Sequence, residues 1–161
     1  MKSKPVFKFA TVRDVSLDKI SFIPTRGEHA ATGYDVRSAV SITLKPGQYF
    51  KIPLGIRCFP PKGWWFQLHP RSSSFVKKHM HCLIGVIDEH YPNELVFAGQ
   101  YLPEDNEKEL VINFGDPVGQ IIPVERVDAE MVEISNIDFD DLLSKRESKR
   151  TGGFGSTTDS K

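Results

Sequence analysis

Cysteine is scarce. The chain has two, Cys58 and Cys82, in 161 residues, too few for a disulfide framework. Both lie in apolar runs, GIRCF and HCLIGV, so buried free thiols are expected, in keeping with a reducing compartment. An excess of one charge is also missing: 21 Lys and Arg balance 21 Asp and Glu. Without a net basic face, non-specific nucleic-acid binding is not expected, although a local anion site remains compatible. No apolar run approaches the roughly 20 residues of a membrane helix, and the opening MKSKPVFKF lacks the apolar stretch of a signal peptide. The expectation is a cytoplasmic protein with neither nucleic-acid nor membrane partners.

What the chain does have is a series of short β-type runs separated by Pro and Gly turns. VFKFATV and SITL come first, then the turn Lys45-Pro46-Gly47. QYFKIPLGIRCF reads as one half-buried strand, with Ile52, Leu54 and Ile56 on one face and Lys51, Gly55 and Arg57 on the other. After the turn at Pro60-Pro61-Lys62-Gly63 come WWFQLHP, HCLIGVID, ELVFAGQYL, ELVINF and VGQIIPVERV. PEDNEKE, between ELVFAGQYL and ELVINF, reads as a polar hairpin connection. Helices are expected only at Ser73 to Lys78 and Phe139 to Lys145. Many short strands with regular turns predict an all-β sandwich or barrel. From about Ser144 the chain becomes SKRESKRTGGFGSTTDSK, too polar to fold alone. Residues 1–143 are therefore expected to form the β domain, and 144–161 either a frayed terminus or an arm that orders over a ligand.

Four stretches carry candidate chemistry. Pro70-Arg71-Ser72-Ser73-Ser74 places a cation and three hydroxyls where a strand gives way to a helix, a suitable setting for phosphate; Ser is also an ordinary N-cap. Gly85-Val86-Ile87-Asp88-Glu89-His90-Tyr91 ends an apolar run in a carboxylate, either a general base or a turn former. Ala31-Thr32-Gly33-Tyr34-Asp35 offers a second carboxylate after a glycine. Thr151-Gly152-Gly153-Phe154-Gly155-Ser156-Thr157, beside Lys149 and Arg150, is Gly-rich and cationic, yet lacks the P-loop pattern.

Taken together and in order, ATGYDVRSA, PRSSSFVKKH, GVIDEHY, GDPVGQII and TGGFGST resemble the five motifs of the trimeric dUTPase family, from roughly Pro24 to Thr157. The resemblance implies a distorted β-barrel or jelly-roll subunit, a homotrimer, and active sites at subunit contacts closed by a neighbour's C-terminal arm. It implies hydrolysis of dUTP to dUMP and pyrophosphate, which keeps uracil out of DNA and supplies dUMP for thymidylate synthesis. By the same resemblance Asp88 is the base for the attacking water, and Asp35 lies near the catalytic assembly. Arg71, Ser72, Ser73 and Gln120 contact phosphates. The backbone from Cys82 through Gly85, Val86 and Ile87 pairs with the uracil edge, and Tyr91 packs under the deoxyribose. Lys149 or Arg150 meets phosphate, Phe154 stacks on uracil, and Gly155, Ser156 and Thr157 complete the arm's contacts. The implied cofactor is Mg²⁺, held mainly through water and the substrate phosphates.

The chain departs from the family pattern in several places. Ser73-Ser74-Phe75 replaces Gly-Leu in the second motif. Pro117 stands where the fourth motif usually has Arg. Lys149 occupies the arm's arginine position, and Pro92-Asn93 follows Tyr91. Leu95 to Asn113 reads as a lengthened hairpin. His69, His79 and His81 are close in sequence but lack the company expected of a zinc site. Trp64 and Trp65 should face opposite sides of a strand, one in the core and one at a subunit contact. Glu104, Asp105, Glu107 and Glu109 read as a solvated loop. Two rivals are a dCTP deaminase, for which Glu94 would be the catalytic carboxylate, and a dUTPase-fold binding protein with little turnover.

Overall fold

The computed structural model describes residues 4–12, 20–105 and 108–146. By internal contacts the chain forms two units, Met1–Val127 and Asp128–Lys161. The first unit is a β structure of eleven short strands and one short helix. Its strands are β1 (Lys8–Thr11), β2 (Tyr34–Arg37), β3 (Ile42–Leu44), β4 (Tyr49–Pro53), β5 (Ile56–Phe59), β6 (Trp64–Pro70), β7 (Met80–Cys82), β8 (Gly85–Ile87), β9 (Val96–Tyr101), β10 (Leu110–Ile112) and β11 (Pro117–Glu125), with α1 (Ser72–Val76) between β6 and β7. All pairing is antiparallel: β1 with β5, β3 with β10, a four-stranded sheet in the order β2-β11-β6-β8, and a three-stranded sheet in the order β4-β9-β7.

Between the sheets lies a core of branched and aromatic side chains, with Phe66, Phe97, Leu44, Ile52, Leu54, Ile56, Met80 and Ile121 almost wholly buried. Burying each such side chain stabilises by about 1.5–3 kcal/mol. Phe66, not either tryptophan, takes the buried place at the start of β6. Trp64 and Trp65 are both half-buried, and Trp64 meets Phe7 edge-on with ring centroids 5.8 Å apart. Cys58 is buried as expected, whereas Cys82 is only half-buried.

Three of the expected runs are divided differently. QYFKIPLGIRCF keeps its alternating burial but breaks at Gly55, where φ is +69°. That left-handed turn suits glycine, and a Cβ there would stand 3.0 Å from Ala39 Cβ. The turn sends β4 to β9 and β5 to β1. HCLIGVID likewise splits: β7 joins β9, and after Leu83 and Ile84 the chain joins β6 as β8. PEDNEKE is not a hairpin connection. Both edges of β9 are already taken by β4 and β7, so β10 crosses to pair with β3.

α1 starts one residue earlier and ends two earlier than expected. In the second unit, α2 (Asn136–Ser144) is longer than expected because Ser135 caps it, its side chain accepting the Asp138 N–H at 3.1 Å. Such a cap satisfies an otherwise orphaned amide. The expected arm from 144 onward lies almost entirely outside the described residues.

Candidate active site

The four-stranded sheet brings the first, second and fourth motifs together at one end. In β11, Gln120 lies opposite Asp35 of β2 on one side and His69 of β6 on the other. Asp35 is anchored by its own N–H, which donates to Thr25 O at 2.7 Å. Arg71 leaves β6 immediately beyond this level, and its Nε approaches Asp35 Oδ1 at 3.2 Å. Gln120 Nε2 donates to Pro70 O at 3.1 Å, fixing the residue before Arg71. Both partners of the ion pair keep part of their surface in water, so the pair contributes at most about 1 kcal/mol to stability. Its role is to aim the guanidinium. Gly33 allows the close approach of Gln120: a Cβ there would fall 2.0 Å from Gln120 Oε1.

Ser72 and Ser73 follow in the first turn of α1. No side chain caps this helix, since Arg71 takes the N-cap position in an extended conformation. Ser74 Oγ donates to Val118 O at 2.8 Å and is buried, so the third serine holds α1 to β11. Five residues make a weak helix dipole, so the pull on an anion comes from Arg71 and the two outer hydroxyls. Pro117 begins β11, where the missing N–H costs least. Arg37 is its register partner and donates through Nη1 to Gly115 O at 2.9 Å, so a guanidinium from β2 stands beside the turn that lacks the fourth-motif arginine.

The third motif lies elsewhere. Gly85, Val86 and Ile87 form β8; Ile87 is buried and Val86 exposed. Asp88 then emerges into a tight turn closed by Tyr91 N–H donating to Asp88 O at 3.1 Å. The Asp88 side chain is exposed and makes no side-chain hydrogen bond or ion pair among the described residues. Tyr91 OH leans back toward Glu94 O at 3.4 Å. Glu94, the rival deaminase carboxylate, accepts the Gly55 N–H at 2.9 Å and so buttresses the left-handed corner.

Strand register measures how far apart the two groups are. Phe66 lies opposite Ile87, which sets Asp88 beside Trp65, at the start of β6. Arg71 follows the far end of β6. At about 3.3 Å per strand residue, roughly 20 Å of strand separates them. One subunit therefore carries two half-sites, Asp35–Arg71–Gln120 at one end of the sheet and Asp88–Tyr91 at the other.

The largest cavity, about 940 Å³, is a third place. Tyr49, Lys51, Phe75, His81, Cys82 and Gly99 are among its lining residues, and none of Asp35, Arg71, Asp88 or Gln120 belongs to it. Burial pushes the Cys82 thiol up to about 12, and its Sγ donates to Met80 O at 3.3 Å. Among the described residues no three His, Cys, Asp or Glu side chains converge as a metal cage. Lys149, Arg150, Phe154, Gly155, Ser156 and Thr157 lie outside the described residues. The sequence reading passed over Gly33, Ser74 and Glu89; a glycine beside a motif carboxylate was the available signal for the first.

A family model described as dUTPase matches residues 20–158. The mouse deoxyuridine 5'-triphosphate nucleotidohydrolase is 32% identical over 149 residues, 92% of this chain and 85% of that protein. The Candida albicans enzyme of the same name is 32% identical over 135 residues, 84% of this chain and 80% of that protein. Among solved structures, a Staphylococcus bacteriophage 80alpha dUTPase variant with dUpNHpp superposes with a TM-score of 0.72 at 19% identity, over 94% of this chain and 98% of that one. A dUTPase from phage phi11 of S. aureus, described with a structural Mg(II) ion, gives 0.69 at 19% identity, over 81% and 97%. The fold is thus the all-β, jelly-roll fold of these proteins.

Proposed function

The chain belongs to the dUTPase family, and we propose that it hydrolyses dUTP to dUMP and pyrophosphate in a homotrimer whose active sites span subunits. The observation that carries this reading is the convergence of Asp35, Arg71 and Gln120 at one end of the β2-β11-β6-β8 sheet. Arg71 and the Ser72 and Ser73 hydroxyls form a phosphate-binding edge that lacks a base. Asp88, at the opposite end, is a base that lacks a phosphate site. A symmetric oligomer resolves the mismatch by joining unlike ends of neighbouring copies.

In the assembled site, the backbone of β8 and the residues before it pairs with the uracil edge, and Tyr91 supports the deoxyribose. The Asp88 carboxylate takes a proton from water, whose oxygen bonds to the α-phosphorus. The bond from that phosphorus to the oxygen bridging toward the β-phosphate then breaks, and pyrophosphate leaves. Arg71 and Gln120 hold the triphosphate in line, so that positioning and charge neutralisation lower the barrier. The C-terminal arm supplies Phe154 to the uracil face and Lys149 or Arg150, Gly155, Ser156 and Thr157 to the phosphates.

The donor set fits Mg²⁺ of a particular kind. No protein cage is built among the described residues, and Mg²⁺ bound to a triphosphate keeps most of its waters and needs none. Asp35 and Asp88 are the carboxylates near enough to the two half-sites to hold its waters. When bound, the ion neutralises phosphate charge. The cellular consequence of the reaction is removal of dUTP before it enters DNA, with dUMP left for thymidylate synthesis.

The test is incubation with dUTP, dCTP, dTTP and UTP in Mg²⁺, assaying pyrophosphate and ammonia, with Asp88→Asn in parallel. Pyrophosphate from dUTP alone, lost in Asp88→Asn, is expected. Ammonia from dCTP would move the chain to deaminase chemistry. Tight dUTP binding without product would leave a binding protein.

A further inference from the structure

The turn that carries Asp88 and Tyr91 is held from outside by its neighbour Glu89. This carboxyl group is largely buried, with a side-chain exposure of 13%. Its Oε2 accepts the Gly63 N–H at 3.0 Å and Arg126 Nη1 at 2.9 Å. The two donors are themselves linked, since Arg126 N–H donates to Gly63 O at 2.7 Å. Three separate segments thus meet at one carboxylate: the corner after β8, the left-handed turn before β6 (Gly63 φ +81°), and the residue after β11.

Burying a carboxylate is costly unless it is paired and hydrogen-bonded, and here both conditions are met. Glu89 and His90 form the corner between Asp88 and Tyr91, which are closed by the Tyr91 N–H to Asp88 O bond. Asp88 itself has no side-chain partner among the described residues, so its place is set by the backbone of this corner. On the reading that Asp88 is the base, we propose that Glu89 is a positioning residue: its clamp on Gly63 and Arg126 sets where the Asp88 carboxylate and the Tyr91 ring stand.

Glu89→Ala removes the clamp, and Glu89→Gln keeps an oxygen that accepts the Gly63 N–H. A base misplaced by about 1 Å costs up to roughly a hundredfold in rate. Glu89→Ala is therefore expected to lose at least about tenfold in kcat, with KM changed far less. Glu89→Gln is expected to recover kcat to within about threefold of wild type. Thermal melting gives the folded fraction, so that kcat is counted per folded molecule. Hydrogen exchange of the Gly63 and Tyr91 amides is followed in the same variants and needs no activity. Faster exchange at both sites in Glu89→Ala, reversed in Glu89→Gln, is the expected result. A folded Glu89→Ala protein with wild-type kcat, or with unchanged exchange at both amides, overturns the proposal. A wild-type protein inert on dUTP would sink the hydrolase reading, while exchange would still decide the clamp.

Discussion

Two inactive variants should restore each other. Asp88→Asn removes the base at one end of the sheet, and Arg71→Ala removes the cation at the other, about 20 Å along β6. If a working site takes Asp88 from one subunit and Arg71 from the next, random 1:1 mixing gives each position an even chance of being intact. About a quarter of sites then hold both groups, so specific activity should return to about a quarter of wild type from two near-zero parents. The assay is pyrophosphate release after co-expression with different tags and purification of mixed species. The control is Asp35→Asn mixed with Arg71→Ala. These two side chains meet at 3.2 Å within one subunit, so no subunit in that mixture has both, and no recovery is expected. Recovery in the control, or none in the Asp88 and Arg71 mixture, would refute the two half-sites.

Other perturbations test the frame around the site. Gly99→Ala would place a Cβ 2.5 Å from His81 O and 2.9 Å from Cys82 Cα. Backbone must move, so a loss of about 1–3 kcal/mol is expected in urea unfolding. Ser74→Ala leaves Val118 O without its buried donor and should cost about 1–3 kcal/mol by the same assay. Burial pushes the Cys58 thiol from 9.0 up to about 12. The unfolded chain gives up that proton first, so stability is intact below pH 9 and is lost as pH rises toward 12. By pH 10 this thiol alone should account for about 1.4 kcal/mol, a slope that Cys58→Ala removes. Chelating Mg²⁺ should stop pyrophosphate release yet leave the melting temperature of the nucleotide-free protein unchanged, because the ion arrives with the triphosphate. A large drop in melting temperature would instead reveal a structural metal.

The strand inventory was legible in the sequence because burial alternates wherever a strand has one wet face: Phe50, Ile52, Leu54, Ile56 and Cys58 are all buried, as period two requires. What alternation cannot encode is the partner. Nothing in the pattern of QYFKIPLGIRCF marks Gly55 as the point where the chain changes sheets, since an exposed-face glycine and a left-handed corner read alike. PEDNEKE failed as a hairpin for a related reason. Whether β9 has a free edge depends on β4 and β7, which are far from it in sequence.

The same logic governs the site. Motif order presented Asp35, Arg71, Asp88 and Gln120 as equals along a line. Antiparallel register sorts them, because each step away from the Phe66–Ile87 pair moves Asp88 and Arg71 in opposite directions. Gln120 joins Arg71 only because β11 runs beside β6, with Gly119 opposite Pro70. Glu89 was unreadable for a simpler reason: a carboxylate beside a motif aspartate looks like solvent-facing turn chemistry. Its partners Gly63 and Arg126 become neighbours only when β6 and β11 pair and bring the turn before one against the end of the other.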